Sequence, residues 1–140
     1  MRFVVGDFTT LDYDRCVCGR TLARARGGFV GRADDMLNIR GVTLFPSAVE
    51  DAVRRVPTIG EEFQIVVSHD PRGMDVLTIV AEPKPEIAQD AYPLLAQQIE
   101  DEIVSRCELH PIVDLLPYGT LPKTEFKAKR VKDVRGQRTT

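Results

Sequence analysis

The sequence has no tryptophan, only two histidines and three cysteines, and 6% aromatic residues. Three thiols cannot build a disulfide framework, and two of them, in Cys16-Val17-Cys18, stand too near in sequence for an unstrained mutual bridge. Reduced thiols are expected. No apolar run approaches the roughly 20 residues needed to cross a bilayer, and the opening Met1-Arg2-Phe3-Val4-Val5-Gly6-Asp7 breaks too early for a signal peptide. A cytoplasmic protein with no membrane partner follows as the expectation. No large excess of charge exists either: the formal net charge is -2, so no general field attracts polyanions and nucleic acid is not an expected partner. There is no internal repeat, and no Ser/Thr/Gly-rich loop of the kind that cradles phosphates.

What remains is an ordinary folding composition. With 140 residues, 43% hydrophobic and 29% charged, the chain suits one soluble hydrophobic core. Residues 1–32 alternate short β-prone runs with turn residues, including the Cys16 to Gly19 corner and Gly27-Gly28, which predicts hairpins. Val42 to Phe45 reads as a strand, and Pro46-Ser47 opens a helix with Val49, Ala52, Val53 and Val56 at helical spacing, stopped by Pro57. Phe63 to Ser68 and Val76 to Ala81 flank the turn cluster His69 to Gly73 and predict an antiparallel hairpin. Beyond Pro83 and Pro85, Leu95, Ile99, Ile103 and Cys107 recur every four residues along a long amphipathic helix closed by Pro111. Ile112 to Leu116 reads as a last strand. The fold class expected is α+β: a ferredoxin-like β-α-β-β-α-β unit over 42–116, preceded by the β-hairpin segment, with both helices on one sheet face.

The densest chemical signal is residues 31–50, GRADDMLNIRGVTLFPSAVE, in which Gly-Arg, two carboxylates and Arg-Gly precede a helix. Gly31 and Gly41 can take positive φ or let a ligand pass near the main chain, and Asp34 and Asp35 can cap or pivot the intervening turn. The tail from Gly119 carries Lys123, Lys127, Lys129, Arg130, Lys132, Arg135 and Arg138 with few apolar residues. Read from composition alone it is a solvated charge run. Cys16 and Cys18 make half of a tetrahedral metal site; His69 and His110 fall in unrelated elements and read as turn and cap residues, and Cys107 as core. No metal is expected within the chain, and the cysteine pair stands as a candidate for an interdomain metal only.

Residues 31–50 resemble the hinge motif of adenylate-forming enzymes in the form typical of phenylacetate-CoA ligases. The terminal segment Leu121-Pro122-Lys123-Thr124-Glu125-Phe126-Lys127-Ala128-Lys129-Arg130-Val131 resembles that family's catalytic-lysine motif, with Lys127 at the lysine and Phe126 where glycine is usual. Val4-Val5-Gly6-Asp7-Phe8-Thr9 resembles the segment ending in Gly-Asp, and Cys16-Val17-Cys18-Gly19-Arg20-Thr21 the Cys-x-Cys-Gly-Arg corner of phenylacetate-CoA ligase-like sequences.

The resemblance implies a two-step reaction: a carboxylic acid attacks the α-phosphate of ATP to give an acyl-adenylate, and coenzyme A then displaces AMP. It implies Lys127 as the catalytic cation of the first step, Asp7 on the ribose hydroxyls, Arg32 on the nucleotide, Asp34 as the hinge and Gly41 on the CoA tunnel. Residues 1–32 would close a large N-terminal AMP-binding domain and its linker, and 33–140 would be the mobile C-terminal domain. ATP or AMP with Mg2+ and coenzyme A would serve the complete enzyme, none bound tightly to this chain alone. Phe29, Met36, Leu37 and Phe45 form an expected exposed apolar patch favouring association, a homodimer included. The second reading, motivated by Phe126, is a non-catalytic ferredoxin-like module that binds a small molecule or a partner subunit.

Overall fold

Successive side chains on a strand point to opposite faces, so Phe63, Ile65 and Val67 turn into the core while Gln64, Val66 and Ser68 turn the other way and stay partly exposed. A computed structural model, which describes residues 6–123 and 130–136, places these residues in β5 (Ile59–His69). It pairs antiparallel with β6 (Asp75–Pro83), with Ile65 opposite Ile79. Leu77, Ile79 and Ala81 of β6 are buried with Phe63, Ile65 and Val67. Helix α1 (Pro46–Arg54) buries Val49, Ala52 and Val53, and α2 (Tyr92–Cys107) buries the full stripe Leu95, Ile99, Ile103 and Cys107. All join one hydrophobic cluster. Each such aliphatic side chain contributes about 1.5–3 kcal/mol on burial, so this layer is where the fold's stability resides. Pro46 stands in the first turn of α1, where its missing N–H costs nothing, and α2 ends at Glu108 in a left-handed cap.

The four-stranded sheet has the order β7-β6-β5-β8, with β7 (Ile112–Leu115) parallel to β6 and β8 (Val131–Asp133) parallel to β5. The mixed α+β class holds. Its first strand differs in place from the expectation: β4 (Val42–Leu44) pairs with β3 (Leu37–Ile39) in a separate two-stranded sheet. The edge beside β5 is taken by β8, from the tail that composition alone reads as a solvated run. The physical reason is that Val131 meets Ile65 in register, and the flanking arginines are neutralised by packing partners that lie far away in sequence.

The N-terminal β1 (Asp7–Asp12) and β2 (Arg24–Arg32) form an antiparallel hairpin. Gly27 and Gly28, expected at a turn, lie within β2. Both have positive φ, and between the pairs Thr9–Phe29 and Leu11–Ala25 the register shifts, so the two glycines form a bulge. The Thr9 hydroxyl donates to Gly28 O at 2.6 Å across it. The Phe8 and Phe45 rings meet at 5.5 Å, and Gly31 leaves room for the Phe45 ring, since a Cβ there would lie 2.6 Å from Phe45 Cδ1. Among the described residues no helix is long and apolar enough to cross a membrane.

Candidate functional site

The β1–β2 register sets Asp7 opposite Arg32, and their side chains approach to 4.0 Å. Ala33 N donates to Gly6 O at 2.7 Å, which fastens the end of the hairpin at the point where the chain enters a 3-10 turn, Ala33–Asp35. Asp34 supplies backbone to that turn. Beyond it, Arg40 and Gly41, with φ of 51° and 81°, are the two central residues between the paired Ile39 and Val42. Positive φ at both central positions defines the twisted two-residue hairpin loop in which glycine is favoured at the second position. No heavy atom lies within 4 Å of a Cβ built on Gly41, so the outer side of the turn is open. The Arg40 guanidinium donates to Asp75 O and braces the loop against the main sheet.

The four residues predicted to form an apolar patch separate. Phe29 is 72% and Met36 44% exposed, whereas Leu37 is in the core with Ile39 and Leu44, and Phe45 is half-buried. The patch expectation fails at Leu37 because the short β3–β4 pair turns that side chain inward. The exposed apolar side chains concentrate instead on the hairpin: Leu11, Tyr13, Val17, Leu22 and Phe29.

Cys16 and Cys18 meet at the hairpin tip, where the Cys18 thiol donates to Cys16 Sγ at 3.0 Å. Gly19 N closes the corner on Cys16 O at 2.8 Å. The Cys18 side chain, then its backbone N–H, holds the Cys16 thiol below its ordinary pKa. Cys107 lies in the core, where burial raises its pKa. Among the described residues no third metal-ligating group joins the pair. His69 Nδ1 lies 3.2 Å from Asp75, and His110 Nδ1 lies 3.1 Å from Glu100.

Lys127, the predicted catalytic cation, lies outside the described residues. The residues before 124 and after 129 make contacts that the sequence reading missed. Before it, Glu82, only 2% exposed, accepts Gly119 N–H at 2.9 Å and the Leu121 N–H. After it, Arg130 donates to Glu50 at 2.7 Å and stacks over the Phe63 ring at 4.6 Å, while its carbonyl accepts Ile65 N–H at 2.7 Å. Arg135 binds Asp133 at 2.6 Å, Asp75 at 3.0 Å and Asn38 O at 2.7 Å. The one available signal was Glu82 itself, a lone carboxylate closing the apolar run from Val76 to Ala81. Its partners are 37 and 39 residues away.

Residues 41–135 match the family model described as AMP-binding enzyme C-terminal domain. A phenylacetate-coenzyme A ligase of Thermus thermophilus is 35% identical over 96% of this chain and 34% of its own length. The chain spans between 26% and 34% of the length of the curated relatives it matches. A 2-hydroxyisobutyryl-CoA ligase, solved with an acyl-AMP in the postadenylation state, superposes with a TM-score of 0.78 at 30% identity, covering 91% of this chain and 27% of that one. The same ligase with acyl-AMP and CoA in the thioesterification state gives 0.68, covering 94% and 28%. A domain of phenylacetate-coenzyme A ligase from Bacteroides vulgatus superposes at 0.66 with 27% identity, over 74% of this chain and 96% of that one. By this match, and by the α+β layer that carries it, the chain belongs to the family of AMP-binding enzyme C-terminal domains, in its phenylacetate-CoA ligase-like branch.

Proposed function

We propose that the chain is the mobile C-terminal part of an ATP-dependent, AMP-forming acyl- or aryl-CoA ligase, completed by a large N-terminal nucleotide-binding domain. The observation that carries this reading is the family match over residues 41–135, on a chain that spans a third of a CoA ligase. Residues 1–32 are taken as the end of the large domain with its linker, and 33–140 as the part that moves. In the first half-reaction a carboxylate oxygen of the acid attacks the α-phosphate of ATP and pyrophosphate leaves. Charge grows between two anions, and the compact ammonium of Lys127 is the group suited to offset it in a closed site. Mg2+ is assigned to the nucleotide. Asp7 accepts hydrogen bonds from the ribose hydroxyls, and Arg32, paired with it across the hairpin, contacts the nucleotide.

In the second half-reaction the CoA thiolate attacks the acyl carbon and AMP leaves. The turn at Gly41, open on its outer side, gives the pantetheine arm a passage, and Asp34 in the 3-10 turn is the pivot between the two arrangements. The higher superposition score against the postadenylation than the thioesterification state of a relative supports two arrangements about such a pivot. Leu11, Tyr13, Leu22 and Phe29 on the hairpin supply the apolar surface for the large domain.

The test mixes the chain with the large domain of its parent protein and follows acid-dependent AMP release with ATP and CoA. Lys127→Ala is expected to abolish adenylation and spare thioester formation from preformed acyl-adenylate. If no large domain binds or activates the chain, catalysis gives way to a non-catalytic binding module.

A further inference from the structure

The β3–β4 pair that carries the Arg40-Gly41 turn is held from two sides. On one side Leu37, Ile39 and Leu44 are buried in the core. Those apolar side chains fix the base of a hairpin with three residues in each strand, but apolar contact is non-directional and leaves the aim of the turn unset. On the other side Asn38 and Thr43 are exposed, and what holds the hairpin there is polar.

The first polar tie is Arg40 itself. It has φ 51° at the first central position of the loop, where Asn, Asp or Gly is the usual occupant. The turn does not call for arginine, whereas the reach of its side chain does: Nε donates to Asp75 O, where β6 begins. The second tie is Arg135. Its Nε and Nη2 grip the two oxygens of Asp133 at 3.0 and 2.6 Å, a forked pair that orients the guanidinium plane. Val134 N donates to Val67 O at 2.9 Å, so the fork stands on backbone fastened to β5. Nη1 remains, and it donates to Asn38 O of β3 at 2.7 Å and to Asp75 Oδ2 of β6 at 3.0 Å. The other Asp75 oxygen lies 3.2 Å from His69 Nδ1. The Arg135 and Asp75 side chains are only 23% and 20% exposed, so solvent screens their attraction less than it does for a surface pair. One guanidinium thus joins β8, β3 and β6, and Asp75 receives both ties, Arg40 on its carbonyl and Arg135 on its carboxylate. An ammonium, a point charge with no fixed plane, cannot hold these directions together.

Building on the ligase reading, in which the turn at Gly41 gives the pantetheine arm its passage, we propose that Arg135 and Asp75 are positioning residues for thioester formation: together they set the aim of the Arg40-Gly41 turn against the main sheet. Neither touches coenzyme A. They act through the turn, so their effect belongs to the half-reaction that uses the turn and not to adenylation.

The experiment uses the chain assembled with its large domain, with the half-reactions measured separately. Arg135→Lys keeps the charge and loses the fork. Thioester formation from preformed acyl-adenylate is expected to fall about 10- to 30-fold while adenylation stays within about twofold. Amide exchange at Ile39 and Val42, the pair that closes the turn, should quicken in parallel. Asp75→Asn keeps the shape and the carbonyl that accepts Arg40 but removes the charge facing Arg135, and is expected to lower thioester formation less, about three- to fivefold. It serves the same comparison where Arg135→Lys does not fold. Gly41→Phe fills the open side of the turn and tests the reading beneath: it is expected to block thioester formation and spare adenylation. Unchanged thioester formation in Arg135→Lys, alongside a blocked Gly41→Phe, overturns the positioning role and leaves the ligase reading standing. Exchange at the unsubstituted rate in both Arg135→Lys and Asp75→Asn overturns it too, since the two side chains then hold nothing that moves. Equal loss in both half-reactions overturns it as a general structural effect. If Gly41→Phe forms thioester normally, the passage assignment falls and the positioning role falls with it.

Discussion

The hairpin β1–β2 and the layer built by β5, β6, α1 and α2 are held by different forces. The layer buries the hydrophobic cluster that contains Phe63, Ile65, Ile79, Ile99 and Ile103, each at most 1% exposed. The hairpin has backbone pairing, an Asp12–Arg24 ion pair at 2.8 Å and one aromatic contact, Phe8 on Phe45. Its Tyr13 and Leu22 side chains are each 77% exposed. A two-stranded hairpin is marginal by itself in water, and this one turns apolar side chains outward. The difference teaches that the buried apolar surface and the exposed apolar surface belong to separate regions of this chain.

The largest expected break in that contrast is Phe63→Ala. It removes a ring 1% exposed and the platform for both Arg54 and Arg130, and should cost about 3–5 kcal/mol in denaturant unfolding. Arg135→Ala is expected to cost about 1–2 kcal/mol, since it ties β8 to Asp75 and to Asn38 O. It also changes the acid limb. The Arg135 hydrogen bond holds the Asp133 carboxyl below its ordinary pKa, so its contribution is present above the unfolded carboxylate value and is lost as pH falls through the folded one. In Arg135→Ala the part of the acid destabilisation below about pH 4 that comes from Asp133 should shrink. The smallest effect sharpens the comparison: Tyr13→Ser or Leu22→Ser should change unfolding of the chain by less than about 0.5 kcal/mol yet weaken binding to the large domain in a titration.

Much of the layer was legible. The four-residue spacing from Leu95 to Cys107 and the alternation around Phe63 are burial patterns, and burial is decided by local periodicity whenever a strand or helix has one dry face. The hairpin at the N-terminus was legible from its β-prone runs separated by turn residues, although Gly27-Gly28 read as a turn and is a bulge. The positive φ at Gly41 was legible because a two-residue loop of this kind leaves a local mark in the Arg-Gly pair. Glu82, the Glu50–Arg130–Phe63 contact and the three partners of Arg135 were not found, because a long-range hydrogen bond leaves no periodic trace in either partner's neighbourhood. Leu37 was misread for a related reason, since a three-residue strand is too short to show its inward side.

The sequence by itself determined both helices, the β5–β6 hairpin and β7, which faces of that layer are dry, that the chain is α+β, and which family vocabulary it uses. Only the tertiary structure decided that β8 and not β4 completes the sheet beside β5, and that two arginines of a basic tail are packing residues. It alone brought a buried carboxylate under the chain leading to Lys127. The division is physical: local periodicity selects the elements, whereas edges, ion pairs and buried charges are settled by which distant segments meet once the apolar faces have closed.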